Sequence, residues 1–586
     1  MADCHHKDGN KYRFEVDMRS AVLLLGAATV ASVASGAASA ADLEAATKTP
    51  PASWNWTGGY LGGHVGGGYG RTSFSDPYGP SIYGDVTDTP AFLAGGQIGY
   101  NWQKDNWVFG VELDASRVIS DGTNSCLAAS GTVVGATCKA SPNVFVTSAG
   151  RVGYAFGPQG HTLAYLKGGV AWQHNRGGIV NNNEYFGFTP QGATHFEYGR
   201  VGGIIGAGVE QRLAPAWSLK FEYDYLGFGG PSVATAPTEQ FPPLVIRPAN
   251  TSSLSSSYHL GKVGLNYHFD ADPSAPGWSD ASVYATKGTV NAPPPAYAAG
   301  WSFEGGSRLW LSRGRFQWDN SAVPAILGDP TILESRLTYH GLDGFSGELF
   351  GRLDSPWGIF VKGNVGIGRF NGGSMNDEDW GILGFASYSN TRSGQANGKF
   401  TYSTADVGYD FLRGSTYKVG GFVGWTQYGQ KSDTPGCVQI ASSLVPCLTT
   451  DDNRIIGSQD TDWNAPRVGL SAETMFLDRW QVSADVAYLP WTYFKGRDNH
   501  LLRPTTTFFD QRGNGGGGVQ VEAILSYFIT SNFSVGIGGR YWAMWTEKDS
   551  DFMCSGCGEP AVVTGPELAK YSMERWGTFL QASYKF

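Results

Sequence analysis

Residues 217–225 alternate without a break: Trp217, Leu219, Phe221, Tyr223 and Tyr225 stand between Ser218, Lys220, Glu222 and Asp224. A period of two puts the apolar set on one face of a β-strand and the polar set on the other. An aromatic row opposite a charged row suits a strand with lipid on one side and a polar barrel interior on the other. A soluble sandwich would show the same alternation, so the connections have to decide. Between Trp54 and Phe269 eight strands are expected, at 58–72, 91–102, 107–118, 143–155, 161–174, 197–210, 216–227 and 257–269. Three links are tight turns, at Lys104 to Asn106, Gly157 to Gly160 and Ala214-Pro215, and the other four are long, polar and irregular. Short turns at one rim alternating with long loops at the other mark a bacterial outer-membrane barrel.

The second half, 301–586, repeats the logic with ten strands near 302–313, 334–353, 356–370, 399–412, 416–428, 464–476, 479–493, 515–529, 532–546 and 574–586. Its tight turns fall at Asp354-Ser355, Arg413 to Ser415, Leu477-Asp478 and Thr530 to Asn532, with long loops between them. Residues 270–300 are rich in Pro, Ala, Ser and Asp, include Pro293 to Pro295 and show no periodicity, which reads as a linker. An aromatic residue closes each half, at Phe269 and Phe586. One barrel of eighteen strands is the alternative; the linker and the two terminal aromatics favour two barrels. The expected fold is all-β: transmembrane antiparallel barrels of eight strands (54–269) and ten strands (301–586).

Composition agrees. The chain has 83 Gly, 13% aromatic and only 16% charged residues. Mean hydropathy is -0.22, and past residue 40 no uncharged apolar run approaches the ~20 residues of a spanning helix. Residues 1–40 read as a leader: Met18-Arg19 is a basic start, Ala21 to Ala34 an apolar run and Ala38 to Ala40 a cleavage site, with translation expected to begin at Met18. Removing the leader takes Cys4 and leaves neighbouring pairs, Cys126 with Cys138, Cys437 with Cys447 and Cys554 with Cys557. In an oxidising compartment these read as local disulfides. A metal site at Cys554 and Cys557 lacks a second ligand pair nearby. The net charge of -9 and the absence of a basic tract argue against nucleic acid.

The chemistry sits where strands run into loops. The third strand of the second half runs into Gly372, Gly373, Ser374, Met375, Asn376, Asp377, Glu378, Asp379 and Trp380; the seventh runs into Gly496, Arg497, Asp498, Asn499 and His500. Strand counting puts both segments on the same rim. Acidic residues and an Asp-x-His then meet at one mouth, where Asp498 can orient and charge the imidazole of His500 and the set can deprotonate a water. The other mature-chain histidines, His64, His161, His174, His195, His259, His268 and His340, lack such company and read as structural or interfacial.

The first half, from Trp54 to Tyr60, through Ala94 to Tyr100 and Phe221 to Leu226, to Gly264 to Phe269, resembles the small porin-like surface barrels of alphaproteobacteria. Eight strands leave an interior that side chains fill, so no wide pore is expected. The second half resembles the omptin family of ten-stranded outer-membrane endopeptidases, whose Gly-Gly-x-Met-x-Asp-x-Asp-Trp segment matches 372–380 and whose Asp-x-His matches 498–500. The resemblance implies an acidic couple, Asp377 and Asp379, a dyad, Asp498 and His500, and a water between Asp377 and His500 that attacks the peptide carbonyl. It also implies peptide or protein substrates at the cell surface and lipopolysaccharide as lipid partner, with no covalently bound cofactor. Two departures stand out. Where the family holds a basic substrate side chain with acids, this chain has Gly496 and, atop the first strand, Gln317. Where an aromatic, an acid and a base are usual for the lipid, it has Trp425, Gln427 and Gly429. A non-catalytic structural or adhesive protein, or a passive channel, are the alternatives to a peptidase.

Overall fold

A computed structural model describes residues 54–79, 83–129, 133–182, 193–240, 245–269, 300–321, 333–380, 388–441, 447, 453–502, 506–547, 549–555 and 562–586. The expected leader, all of the linker but Gly300, and Cys557 lie outside the described residues. The first eight long strands are Gly58–Phe74, Ala91–Lys104, Trp107–Ser120, Val133–Phe156, Thr162–Asn181, Ala193–Ala214, Trp217–Thr235 and Asn250–His268. Each pairs antiparallel with the next, and the last returns to the first, His268 opposite Tyr60 and Leu254 opposite Phe74. Ten more follow: Ser302–Ser321, Ser335–Asp354, Ile359–Phe370, Ala396–Arg413, Tyr417–Pro435, Ile455–Phe476, Trp480–Leu489, Gly517–Phe528, Phe533–Trp545 and Val562–Lys585. Their ring closes between the first and tenth, from Glu304 opposite Lys585 to Ser321 opposite Leu568. Two rings, rather than one of eighteen strands, are formed.

The alternation at 217–225 falls as its polarity dictates. Ser218, Lys220, Glu222 and Asp224 are buried in the first barrel's interior. There Lys220 Nζ lies 3.1 Å from Glu112, Lys167 Nζ 2.7 Å from Glu222, Lys262 Nζ 2.9 Å from Asp224 and Arg151 Nη1 3.1 Å from Glu210. Charges this deep persist because each meets an opposite charge, and together they fill the lumen. Outside, Val111, Leu113, Leu166, Val170, Val201 and Ile205 are exposed, as Leu309, Leu311, Phe345, Leu349, Val365 and Ile367 are on the second barrel. An apolar outer belt over a polar interior is the membrane-barrel pattern.

The two barrels touch along this belt. Leu219, Val263 and Phe221 of the first pack with Val419, Ala472, Ala484 and Val486 of the second, and Phe92 stacks on Tyr488 at 4.9 Å. Gly67 permits the close approach: a Cβ built there would lie 2.6 Å from Val519 Cγ2. Small residues let surfaces approach within lipid, where packing replaces the hydrophobic drive.

Above the belt the second barrel continues, and its pattern inverts. Along the first strand, outward positions run from Leu309 and Leu311 to Arg315, Gln317 and Asp319. Inward ones run from Arg308 through Trp310 and Ser312 to Phe316 and Trp318. Here the polar outward side chains are largely buried against the first barrel, where Arg315 lies 3.8 Å from Asp88, and an aromatic plug fills the inside, so the polarity of the two faces is exchanged.

Candidate active site at the mouth of the second barrel

Both segments expected at loop starts are strands. Ser374–Asp379 pairs with Ser335–His340 on one side and Ser389–Gly394 on the other. Thr492–His500 pairs with 457–464 and with 506–515. The loops were expected because the lipid-facing apolar row stops here, yet the ladder of hydrogen bonds continues.

A bulge in each wall decides which side chains face in. On the second strand the pairing slips beside Gly341, which has φ +60, a conformation suited to glycine. Below the slip the odd-numbered Phe345 and Leu349 point to lipid; above it the odd-numbered Leu337 and Tyr339 lie in the inner aromatic cluster. Asp377 stands opposite Leu337, Asp379 opposite Ser335 and Met375 opposite Tyr339. Directly opposed residues share a face, so Asp377 and Asp379 project inward, and Asn376 and Glu378 outward.

The histidine-bearing wall has its own slip at Pro490-Trp491. Tyr488 pairs with Val468 and Tyr493 with Asn464, five steps on one strand against four on the other. Val486 therefore faces out against the first barrel, whereas Phe494 beyond the slip faces in, its ring tilted against Trp463 with centroids 4.7 Å apart. Gly496, Asp498 and His500 share that inner face. A one-residue slip turns every following side chain over, and here it carries the dyad into the mouth.

Asp498 is buried, and its Oδ2 accepts a hydrogen bond from His500 Nε2 at 2.6 Å. The imidazole is a quarter exposed (24%) and lies 5.5 Å from the Phe508 ring. The acidic wall and this wall meet electrostatically at Tyr339. Its phenol is held well above the ordinary value, first by burial and then by the charges of Asp498, Asp377 and Asp433. Glu334 is pushed up to about 7 by burial, then by Glu567 and by Asp379. Two inward acids and an Asp–His pair thus line the inner wall of the mouth, with Asp377 and Asp498 both acting on the buried Tyr339 phenol, a set of residue types able to orient and deprotonate a nucleophile.

Other expected residues fall as follows. Cys126 is bonded to Cys138 and Cys437 to Cys447; of Cys554 and Cys557, one side chain and one whole residue lie outside what is described. Gln317 does not look into the mouth: it faces out, bonding Asp319 Oδ1 at 2.7 Å, with Phe316 and Trp318 inside. Gly496 does face in, against Phe494 and Gln511. Trp425 is exposed on the outer face, Gln427 Nε2 reaches Asp462 Oδ1 at 3.4 Å, and Lys431 pairs with Asp460 at 2.6 Å nearby. His340, expected to be structural or interfacial, bonds Asn376 at 2.7 Å directly behind the acidic strand. Tyr339, Glu378 and Arg336 escaped the sequence reading. The alternation in Asp377-Glu378-Asp379 was the available signal, since it must send the middle acid to the opposite face.

Comparison with known proteins divides the chain at the same place. A family described as outer membrane protein beta-barrel domain matches residues 26–270, and the Omptin family matches residues 355–555. The 31 kDa outer-membrane immunogenic protein of Brucella melitensis is 30% identical over 269 residues, which covers 43% of this chain and all of that protein; its Brucella suis counterpart matches equally. Among solved structures, the outer membrane protease OmpT from Escherichia coli is 14% identical and covers 49% of this chain and 97% of its own, with a TM-score of 0.39.

Proposed function

Because the chain belongs to the outer-membrane β-barrel family of the Brucella immunogenic protein, and carries an Omptin family domain behind that barrel, we propose that its second barrel is a surface endopeptidase. The observation that carries this reading is the hydrogen-bonded Asp498–His500 pair on the same inner face of the mouth as Asp377 and Asp379. A neutral His500 that donates Nε2–H to Asp498 has its basic lone pair on Nδ1. That nitrogen takes a proton from water held between His500 and Asp377, and the oxygen attacks the peptide carbonyl. Asp498 then stabilises the imidazolium, and the proton passes to the leaving amine. Asp379 sits beside Asp377 and tunes its charge. The substrate is a peptide or an exposed protein segment that enters from the outer surface.

The inner wall beside the dyad presents Gly496 and Phe494 instead of an acid, so a basic substrate residue has no partner at that position. Lipopolysaccharide is the lipid we expect on the outer strands near Trp425 and Gln427. Purified full-length chain, assayed with a peptide pool with and without lipopolysaccharide, tests both points. Loss of cleavage in Asp377→Asn with the barrels still folded supports the site; wild-type rates in that variant contradict it.

A further inference from the structure

The outward face of the acidic strand is not exposed to water. His340 Nε2 lies 2.7 Å from Asn376 Oδ1, Asn376 Nδ2 donates to Asn390 Oδ1 at 2.9 Å, and Asn390 Nδ2 donates to the Tyr388 hydroxyl at 3.0 Å. Tyr388 donates to Glu378 Oε1 at 2.7 Å, and Ser125 of the first barrel donates to Glu378 Oε2 at 2.8 Å. Arg336 closes the run, giving Nη1 to Ser125 Oγ at 2.7 Å and Nε to Asp319 at 2.7 Å. Ser125, Arg336, Glu378 and Asn390 are wholly buried.

Ser125 sits on a hairpin that rises from the first barrel, Gly122–Ala129 paired with the start of Val133–Phe156. Its cross-strand partner, Thr137, accepts a second bond from Arg336 Nη2 at 3.3 Å. Cys126 and Cys138, joined to each other, flank that pair. Lower on the hairpin, Asp121 accepts from Lys570 Nζ of the second barrel at 2.7 Å. The acidic strand has only six residues, and its outer neighbour, Ser389–Gly394, makes a broken pairing with 438–441. Such a strand depends on side-chain anchors for its position.

We propose that this hairpin of the first barrel is a positioning element for the acidic strand, gripping Glu378 and Arg336 from behind and so fixing Asp377 and Asp379 on the opposite face. The inference rests on the peptidase reading only for its effect on rate. Removing the Ser125 hydroxyl leaves a carboxylate oxygen and a guanidinium N–H buried without that partner, a state proteins relieve by moving. A shift of the acids by about 1 Å is enough to slow a reaction up to about a hundredfold.

The test uses the full-length chain in lipid with lipopolysaccharide, as wild type, Ser125→Ala, Thr137→Ala and the control Ser232→Ala, whose hydroxyl meets Ser253 on the exposed side of the first barrel. Heat-modifiable gel mobility verifies folding. Amide hydrogen exchange is followed over 374–379, alongside kcat and KM on a cleaved peptide. Ser125→Ala should speed exchange of the acidic strand by about tenfold or more, with the lipid-belt strands unchanged, and lower kcat by about tenfold with KM little moved. Thr137→Ala should do the same more weakly, and Ser232→Ala should do neither. Unchanged exchange in both hairpin variants overturns the proposal, as does faster exchange with an unaltered kcat. If the wild type cleaves nothing, the peptidase reading fails and exchange alone decides: faster exchange upholds the grip and unchanged exchange refutes it.

Discussion

Asp498 and Glu378 are both buried acids, but they face opposite ways and answer to different tests. Asp498 holds the proton-bearing side of His500, so Asp498→Asn leaves the imidazole in place without a carboxylate to orient and charge it. We expect kcat to fall by about a hundredfold or more with KM nearly unchanged, since general-base catalysis contributes on this scale. A KM increase with constant kcat would instead make Asp498 a binding residue. Glu378 is pushed by burial up to about 7 from 4.5, against the pull of Arg336, Tyr388 and Ser125. Its folded value lies above its unfolded one, so the stability it permits is fully present below pH 4.5 and is lost as pH rises through 7. Glu378→Gln should therefore flatten the decline in thermal midpoint between pH 5 and pH 8, worth at most about 3 kcal/mol. An identical slope in wild type and variant would show that Glu378 ionises as easily folded as unfolded.

Among the elements, the strands that face lipid were legible in the chain and the strands above it were only half so. Trp217 to Tyr225 shows its alternation because lipid and lumen differ sharply in polarity. On the first strand of the second barrel, Phe316 and Trp318 carry the same alternation in the opposite phase, which hides the continuation of a strand expected to end at 313. The slips at Gly341 and at Pro490-Trp491 were illegible in another way. Counting in twos from Val486 would have put Asp498 and His500 on the outer face, and only the pairing register shows that they turn inward. The site motifs were readable as sequence, and their facing was not. The hairpin at 122–140 supplies the prediction at this scale. Its disulfide closes a separation of 12 residues, so Cys126→Ser with Cys138→Ser should loosen it by about 3 kcal/mol. Exchange over 122–140 should accelerate while the eight-stranded belt stays protected; unchanged protection would mean that packing alone maintains the hairpin.

For the whole molecule, the eight-strand and ten-strand counts followed from the rhythm of short turns and long loops, whereas the contact between the barrels had no sequence signal. Gly67, Phe92 and Val519 look like ordinary lipid-facing residues until the two belts are seen together. The first barrel's lumen is occupied by the ion pairs of Glu112, Glu222, Asp224, Lys167, Lys220 and Lys262. The second is crossed by Trp310, Tyr402 and Trp542, with Arg540 paired to Glu348 at 2.6 Å. Planar bilayers containing the chain should show no stable conductance steps, and reproducible single-channel openings would favour transport over proteolysis.

The peptidase itself is tested most directly by presenting a mixed fluorogenic peptide library to outer membranes that carry the wild-type chain or His500→Ala. Cleavage by the wild type that disappears in the variant, with both barrels folded and lipopolysaccharide present, is the predicted result. Cleavage that persists in His500→Ala, or a folded wild type that cleaves nothing, would contradict the account and leave the structural or adhesive reading in its place.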